Sequence, residues 1–193
     1  MRDVTERIIK GAISVFIKKG LQATTQEVAK EADVAEVTLY RRYSTKENLF
    51  ITVIKSVLEK KFHSRIFEMA KEEETEVFLM NIIEDRLDIL SKNYDLVRML
   101  LSESLRGNLT NEINLPYIIF SSLQKGLESH FELKGQSVDT EFYARQLGGI
   151  FLSYVVLPNG KPFNELSNQD KKDIARKYAK SILATIQDSK TEL

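Results

Sequence analysis

The stretch from Thr24 to Phe50 limits the fold more than any other part of the chain. Glu27 follows Thr24 at the third position, and Glu47 follows Ser44 in the same way. A hydroxyl residue with a glutamate at that offset is a capping box, in which the two side chains satisfy backbone N–H groups at a helix start. Between these two starts there is room for two short helices and a tight turn. Val28, Ala29 and Ala32 give the first helix a small apolar stripe. Asp33 suits the left-handed conformation that ends it, although Gly adopts that conformation at lower cost. The second helix is expected from about Ala35 to Arg42, with Val34, Val37 or Thr38, and Leu39 as inward contacts. Two short helices joined this way form a helix-turn-helix, whose second helix can enter a DNA major groove. Here that helix carries Thr38, Tyr40, Arg41 and Arg42, then Tyr43, with Lys46 just beyond. These are phosphate and base-edge donors with aromatics interleaved.

Helical periodicity continues on both sides. Val4, Ile8, Ala12, Val15 and Phe16 share one face of a helix over residues 3–19, which Gly20 stops. A long helix is expected from near Thr45 to about Ala70, and the run Glu72-Glu73-Glu74 marks a boundary after it. Further helices are expected over 75–92, from an Asp95 cap to Arg106, from an Asn114 cap to near Gly135, over 139–156, and from a Ser167 cap to about Gln187. Pro158 to Pro162 reads as a turn-rich linker. No stretch alternates in the manner of a strand. The expectation is an all-α chain of about nine helices.

Composition narrows the class. The 193 residues contain no cysteine, which excludes disulfides and thiolate metal sites. No apolar run is long enough to span a bilayer, and the N-terminus lacks the apolar core of a signal peptide, so a cytoplasmic protein without a membrane partner is expected. Basic and acidic residues balance at 28 each, which argues against coating nucleic acid by charge alone. Residues 1–50 hold nine basic and seven acidic residues, a small bias in the direction that DNA binding requires.

The residues Gly20, Ala23-Thr24-Thr25, Val28-Ala29, Ala32, Val34, Thr38-Leu39-Tyr40, Tyr43 and Lys46-Glu47-Asn48-Leu49-Phe50 resemble the DNA-binding domain of TetR/AcrR-type bacterial transcriptional repressors. The resemblance is close over roughly the first 50 residues and extends beyond them only in length and helical layout. The family usually has Gly at the position of Asp33, Ser at that of Ala35 and often Gly at that of Val37. Loss of the Ser removes a cap typically worth about 1 kcal/mol. The resemblance implies a helix-turn-helix DNA-binding domain over residues 1–47 and a helical ligand-binding and dimerisation domain over 48–193. It implies double-stranded, pseudo-palindromic operator DNA, a small-molecule inducer and a homodimer as partners, with no cofactor. Thr24, Thr25, Tyr40 and Lys46 are candidate phosphate contacts. Glu36, Val37, Thr38 and Arg42 should face base edges, with Arg41 and Tyr43 beside them.

Similar proteins bind small molecules inside the helical domain. Phe67, Phe78, Tyr94, Met99, Phe120, Phe151 and Tyr154 are candidate linings there, and Glu103, Tyr117 and Gln146 candidate polar anchors. Similar proteins also dimerise through their last two helices. Ala144, Gly148, Gly149 and Ser153 place small residues along the first of these, and Ile174, Tyr178, Ile182 and Ile186 form a stripe on the second. Two other readings stay open. Glu84, Asp85 and Asp88 could hold Mg²⁺ in an all-α enzyme, although they also continue a polar helix face. The chain could instead be a dimeric helical scaffold that has lost DNA binding. His63 and His130 match no zinc motif and read as amphipathic or surface residues.

Overall fold

The computed structural model describes residues 4–62, 65–109, 115–157 and 160–191, and all regular structure among them is helical. Ten α-helices follow in order: α1 (Val4–Lys19), α2 (Thr25–Glu31), α3 (Glu36–Tyr43), α4 (Lys46–Phe62), α5 (Ile66–Met69), α6 (Thr75–Lys92), α7 (Tyr94–Leu105), α8 (Leu115–Leu133), α9 (Thr140–Val156) and α10 (Asn168–Thr191). Single 3₁₀ turns lie at Gly20–Gln22 and Phe163–Glu165. The chain forms two compact units, Met1–Lys60 with Asp95–Leu115, and Lys61–Tyr94 with Pro116–Leu193. The first unit therefore takes in most of α4 and α7 besides the segment that ends at residue 47.

In the first unit, α1 buries Ile8, Ala12, Val15 and Phe16. Phe16 meets Phe50 of α4 edge to face, with centroids 4.9 Å apart. Gly11 lets α1 touch α2, because a Cβ there would lie 2.8 Å from the Ala32 backbone nitrogen. Gly20 ends α1 at φ 58°. In the second unit, α6 packs along α10 and against α9. Its core face is Phe78, Leu79, Ile82, Ile83, Leu87 and Leu90, met by Ala175, Ala179, Ile182 and Ile186 of α10.

Several local expectations hold. Thr24 and Glu27 form the capping box, Asp33 stands at φ 52°, and Ser167 accepts from the Asp170 N–H. Others shift. Thr45 rather than Ser44 caps α4, accepting from the Asn48 N–H at 3.0 Å, because Ser44 is taken up at φ 63° in closing α3. Helix α7 starts at Tyr94, so Asp95 lies in its first turn instead of capping it. The helix expected from Thr45 to Ala70 is two helices, α4 and the one-turn α5. Ile66 of α5 is fully buried against Gly126 of α8, where a Cβ would meet its Cγ1 at 2.6 Å. That packing gives α5 its own attachment. The Asn114 cap and His63 lie outside the described residues. His130 is not a surface residue. It is fully buried, stacked on Phe78 with centroids 4.0 Å apart, and its Nδ1 lies 3.0 Å from the Ala70 carbonyl oxygen.

Candidate nucleic-acid interface

Helix α2 is fixed at both ends. At its start the Thr24 hydroxyl accepts from the Glu27 N–H at 3.2 Å, and the Glu27 carboxylate accepts from the Thr24 N–H at 3.0 Å. Lys19 donates to the same carboxylate. The Lys19 hydrogen bond and the Thr24 N–H together hold the Glu27 carboxyl down at about 2, well below the usual carboxylate range. At its end the Val34 N–H reaches back to the Ala29 carbonyl at 3.0 Å, which closes the helix over the left-handed Asp33. Arg7 of α1 clamps that turn, donating to the Asp33 carbonyl oxygen at 2.9 Å and to its Oδ2 at 3.0 Å.

Helix α3 follows with Ala35 as its N-cap and no side-chain bond there. Leu39 is buried and anchors the helix, while Val37, Tyr40, Arg41 and Arg42 are exposed. Val37 is 71% exposed, so it is an outward residue and not an inward contact. Thr38 and Tyr43 are half-buried. A polar relay ties α3 to α2. The Thr25 hydroxyl donates to Glu36 Oε1 at 2.6 Å and lies 3.1 Å from the Tyr40 hydroxyl. Since the single Thr25 proton goes to Glu36, the Tyr40 O–H donates to Thr25. Thr25 is thus a buried positioning residue beneath the surface, and the Glu36 carboxylate is partly engaged. Arg42 donates to the Thr5 hydroxyl at 2.7 Å, and Lys46 to the Leu21 carbonyl at 2.8 Å. Of the ten candidate DNA contacts, then, Thr24, Val37, Tyr40, Arg41 and Arg42 are exposed, Glu36, Thr38, Tyr43 and Lys46 are half-buried, and Thr25 is buried. Arg7 carries no signal in the sequence, because its role depends on the fold of α1 over the turn.

The residues expected at a dimer surface divide. Ala144, Ile182 and Ile186 are buried inside the protomer, and Gly148 packs on Phe120, whose Cε1 lies 2.4 Å from where a Cβ would stand. Ser153 donates back to the Ile150 carbonyl, and Tyr178 meets Tyr154 edge to face. Ile174 is half-buried. Gly149 alone among the four small residues of α9 faces open space. It sits in an exposed row with Phe142, Arg145, Leu152 and Val156, spaced as one helix face. The row actually presented by α9 is therefore offset from the expected one, because the small residues Ala144 and Gly148 serve packing within the protomer.

The expected ligand linings also scatter. Tyr94 and Tyr154 line a cavity of about 360 Å³ in the second unit. Helix α6 adds Leu87, Leu90 and Ser91 to its wall, α9 adds Val155, and the segment Gly160–Phe163 closes it. Burial and a hydrogen bond with Tyr178 push the Tyr154 phenol up to about 12. The other expected linings do not share this wall. Phe67 is exposed, Phe78 stacks on His130, Phe151 is buried in the core, and Phe120 lies between Gly148 and Arg145. Met99 and Glu103 belong to the first unit, where Glu103 sits over Gly20 and accepts from the Asn108 amide at 2.7 Å. The side chain of Tyr117 lies outside the described residues. Gln146 Oε1 is buried without a hydrogen-bond partner.

Two of the acidic trio of α6, Asp85 and Asp88, are committed to cations of the protein. Asp85 accepts from Arg65 at 2.9 Å, and Asp88 pairs with Lys92 at 2.5 Å and Lys171 at 3.1 Å. Desolvation raises the Asp88 carboxyl, but its hydrogen bonds to Lys92 and Lys171 outweigh this and hold it below its ordinary value. Among the described residues no three acidic or imidazole groups gather as a metal site.

Residues 8–53 match bacterial regulatory proteins of the tetR family. The chain is 40% identical over 50 residues to the HTH-type transcriptional regulator YvkB of Bacillus subtilis, a stretch that is 25% of this chain and 26% of YvkB. Only about a quarter of that relative is therefore matched. A TetR-family transcriptional regulator of Mesorhizobium loti superimposes with a TM-score of 0.74 at 19% identity, over 96% of this chain and 98% of that one. FadR of Bacillus subtilis, solved in complex with stearoyl-CoA, gives 0.68 at 16% identity, over 92% and 97%. At these identities the structural likeness is one of fold.

Proposed function

We propose that this chain is a regulator of the TetR type, a dimeric, cytoplasmic protein that binds operator DNA and is released by a small molecule, a reading supported by the match of residues 8–53 to the tetR family and by the likeness in fold to solved regulators. The observation that carries the reading is the orientation of α3. Leu39 is buried beneath it, while Val37, Tyr40, Arg41 and Arg42 stand outward on a helix fixed to α2 by the Thr25 relay. Such a helix is ready to enter a major groove without reorganising its support. Thr24 takes a phosphate through its hydroxyl, Tyr40 does so on turning its O–H away from Thr25, and Lys46 sits in the first turn of α4, whose free N–H groups favour an anion. Lys46 must then exchange the Leu21 carbonyl for a phosphate. Arg42, on leaving Thr5, reads guanine, and Val37 meets a thymine methyl.

The reading keeps residues 1–47 as the DNA-reading domain and the remainder for ligand and partner. A dimer through α9 and α10 would hold two α3 helices about 34–36 Å apart, one turn of DNA. The exposed row Phe142, Arg145, Gly149, Leu152 and Val156 supplies a strip for it that is apolar except for Arg145, which pairs with Glu141 at 3.2 Å. A ligand that favours a different spacing lowers operator affinity, and the operator lowers ligand affinity by the same factor. Helix α4 carries the chain from one compact unit into the other and is the natural element to transmit the change. Binding of stearoyl-CoA by the Bacillus subtilis relative is support for a small-molecule ligand of some kind.

The test is the salt dependence of DNA binding. Tyr40→Phe and Lys46→Ala should each weaken binding to every sequence, and Lys46→Ala should reduce the slope of log affinity against log salt by about one unit. Isotherms unaffected by both substitutions would sink the assignment of phosphate contacts.

A further inference from the structure

The cavity beside Tyr154 has a chemistry that narrows its ligand. Its volume of about 360 Å³ falls within the range of roughly 300–1,000 Å³ found for small-molecule sites. Leu87 and Leu90 make one wall, and the rings of Tyr94, Tyr154 and Phe163 make the others. Tyr154 and Phe163 stand edge to face in contact with one another, with centroids 6.2 Å apart, so together they turn both a ring face and a ring edge toward a planar apolar body beside them. The wall that carries Phe163 is held in place. Ser91 donates to Asn164 Oδ1 at 2.5 Å, the Asn164 N–H donates to Ser91 at 3.2 Å, and Lys171 donates to the Asn164 carbonyl at 3.1 Å. A wall fixed before binding spares the ligand the cost of ordering it.

Charge gives the second constraint. Lys161 lines the cavity and is exposed, which places its ammonium at the rim. Lys171 is already paired with Asp88 at 3.1 Å. Among the described residues that line the cavity there is no carboxylate, so one positive charge goes unbalanced there. An apolar body in the cavity leaves a single anionic group free to meet that charge.

We infer that this cavity takes a small aromatic monocarboxylate, its ring among Tyr94, Tyr154 and Phe163 and its carboxylate on Lys161. The inference rests on the ligand-responsive reading above and names the ligand class. The wall comes from α6, α9 and the segment Gly160–Phe163, so binding can be measured apart from any effect on DNA.

The experiment is calorimetric titration of the full chain with phenylacetate, benzoate and the neutral isostere phenylacetamide. Phenylacetate should bind at one site per chain, at least tenfold more tightly than phenylacetamide. Lys161→Ala, an exposed position, should weaken phenylacetate about tenfold and abolish the gap between acid and amide. Val155→Phe should remove both by filling the cavity, with circular dichroism checking that it stays folded. Equal affinity for acid and amide, binding unaffected by Lys161→Ala, or no binding of either carboxylate would overturn the inference. Operator binding by the ligand-free wild type is measured in the same preparation. Its absence would count against the regulatory reading, while the titration still decides the ligand class.

Discussion

Asp33 holds a position that favours glycine, at φ 52°, with its side chain in an ion pair to Arg7. Replacing it by Gly should relieve a left-handed strain of about 1–2 kcal/mol. The exposed pair it would lose is worth at most about 1 kcal/mol, and Arg7 would keep its bond to the carbonyl. Asp33→Gly is therefore expected to be neutral or slightly stabilising by chemical denaturation, and Asp33→Val clearly destabilising. A strongly destabilised glycine variant would show that the Arg7 pair matters more than the strain. Glu27 offers a titration at the same scale. Its carboxyl is depressed to about 2, so its contribution is complete above the unfolded value near 4.5 and is lost as pH falls from there toward 2. In Glu27→Gln that component of the acid destabilisation should be missing from pH-dependent melting. The capping box and the left-handed Asp33 were legible because both are spacings within one segment. The Thr25–Glu36–Tyr40 relay and the Arg7 clamp were not, since they join residues of different helices and appear only once α1, α2 and α3 are packed.

At the scale of elements, the sequence placed α6, α9 and the start of α10 closely, because their caps and apolar periods agree. It missed the division of α4 from α5, where no Pro or Gly interrupts the pattern and burial of Ile66 against Gly126 gives α5 its own attachment. It also missed the 3₁₀ turn Phe163–Glu165, a single turn that leaves no period to read. Small residues told where helices approach but not which neighbour they approach. Gly11→Ala should destabilise the first unit by about 1–3 kcal/mol, because its Cβ would meet backbone of Ala32 that cannot swing aside. A melting temperature unchanged by this substitution would refute the close contact of α1 with α2. His130 couples another set of elements, its Nδ1–H donating to Ala70 while Nε2 lies 3.1 Å from the Thr75 hydroxyl. Burial depresses its pKa, so its contribution to stability is complete above the unfolded value of about 6.5 and is lost as pH falls through the folded value. Stability of the wild type should decline with acid in this range more steeply than that of His130→Gln. Parallel curves would show that the imidazole is indifferent to its charge.

For the whole molecule, the dimer proposal rests on the exposed row of α9. Gly149 has open space around it, so a side chain there is compatible with the protomer itself. Gly149→Arg should keep its helical content and become monomeric, since a two-fold interface through this row would bury an unpaired charge on each side. A variant still dimeric by analytical ultracentrifugation would place the interface elsewhere. Specificity belongs to the same scale, because it requires two α3 helices on one duplex. Arg42→Ala should relax preference at one or two positions in each half-site by about 1–3 kcal/mol. The most direct test of the central claim is selection of bound sequences from a random duplex library by the wild-type protein, at fixed salt. The expected result is enrichment of one inverted repeat with half-sites centred about one helical turn or a multiple apart, lost in Gly149→Arg and relaxed in Arg42→Ala. Recovery of unenriched sequence, or of single half-sites by a demonstrably dimeric protein, would contradict the reading of this chain as a two-fold operator-binding regulator.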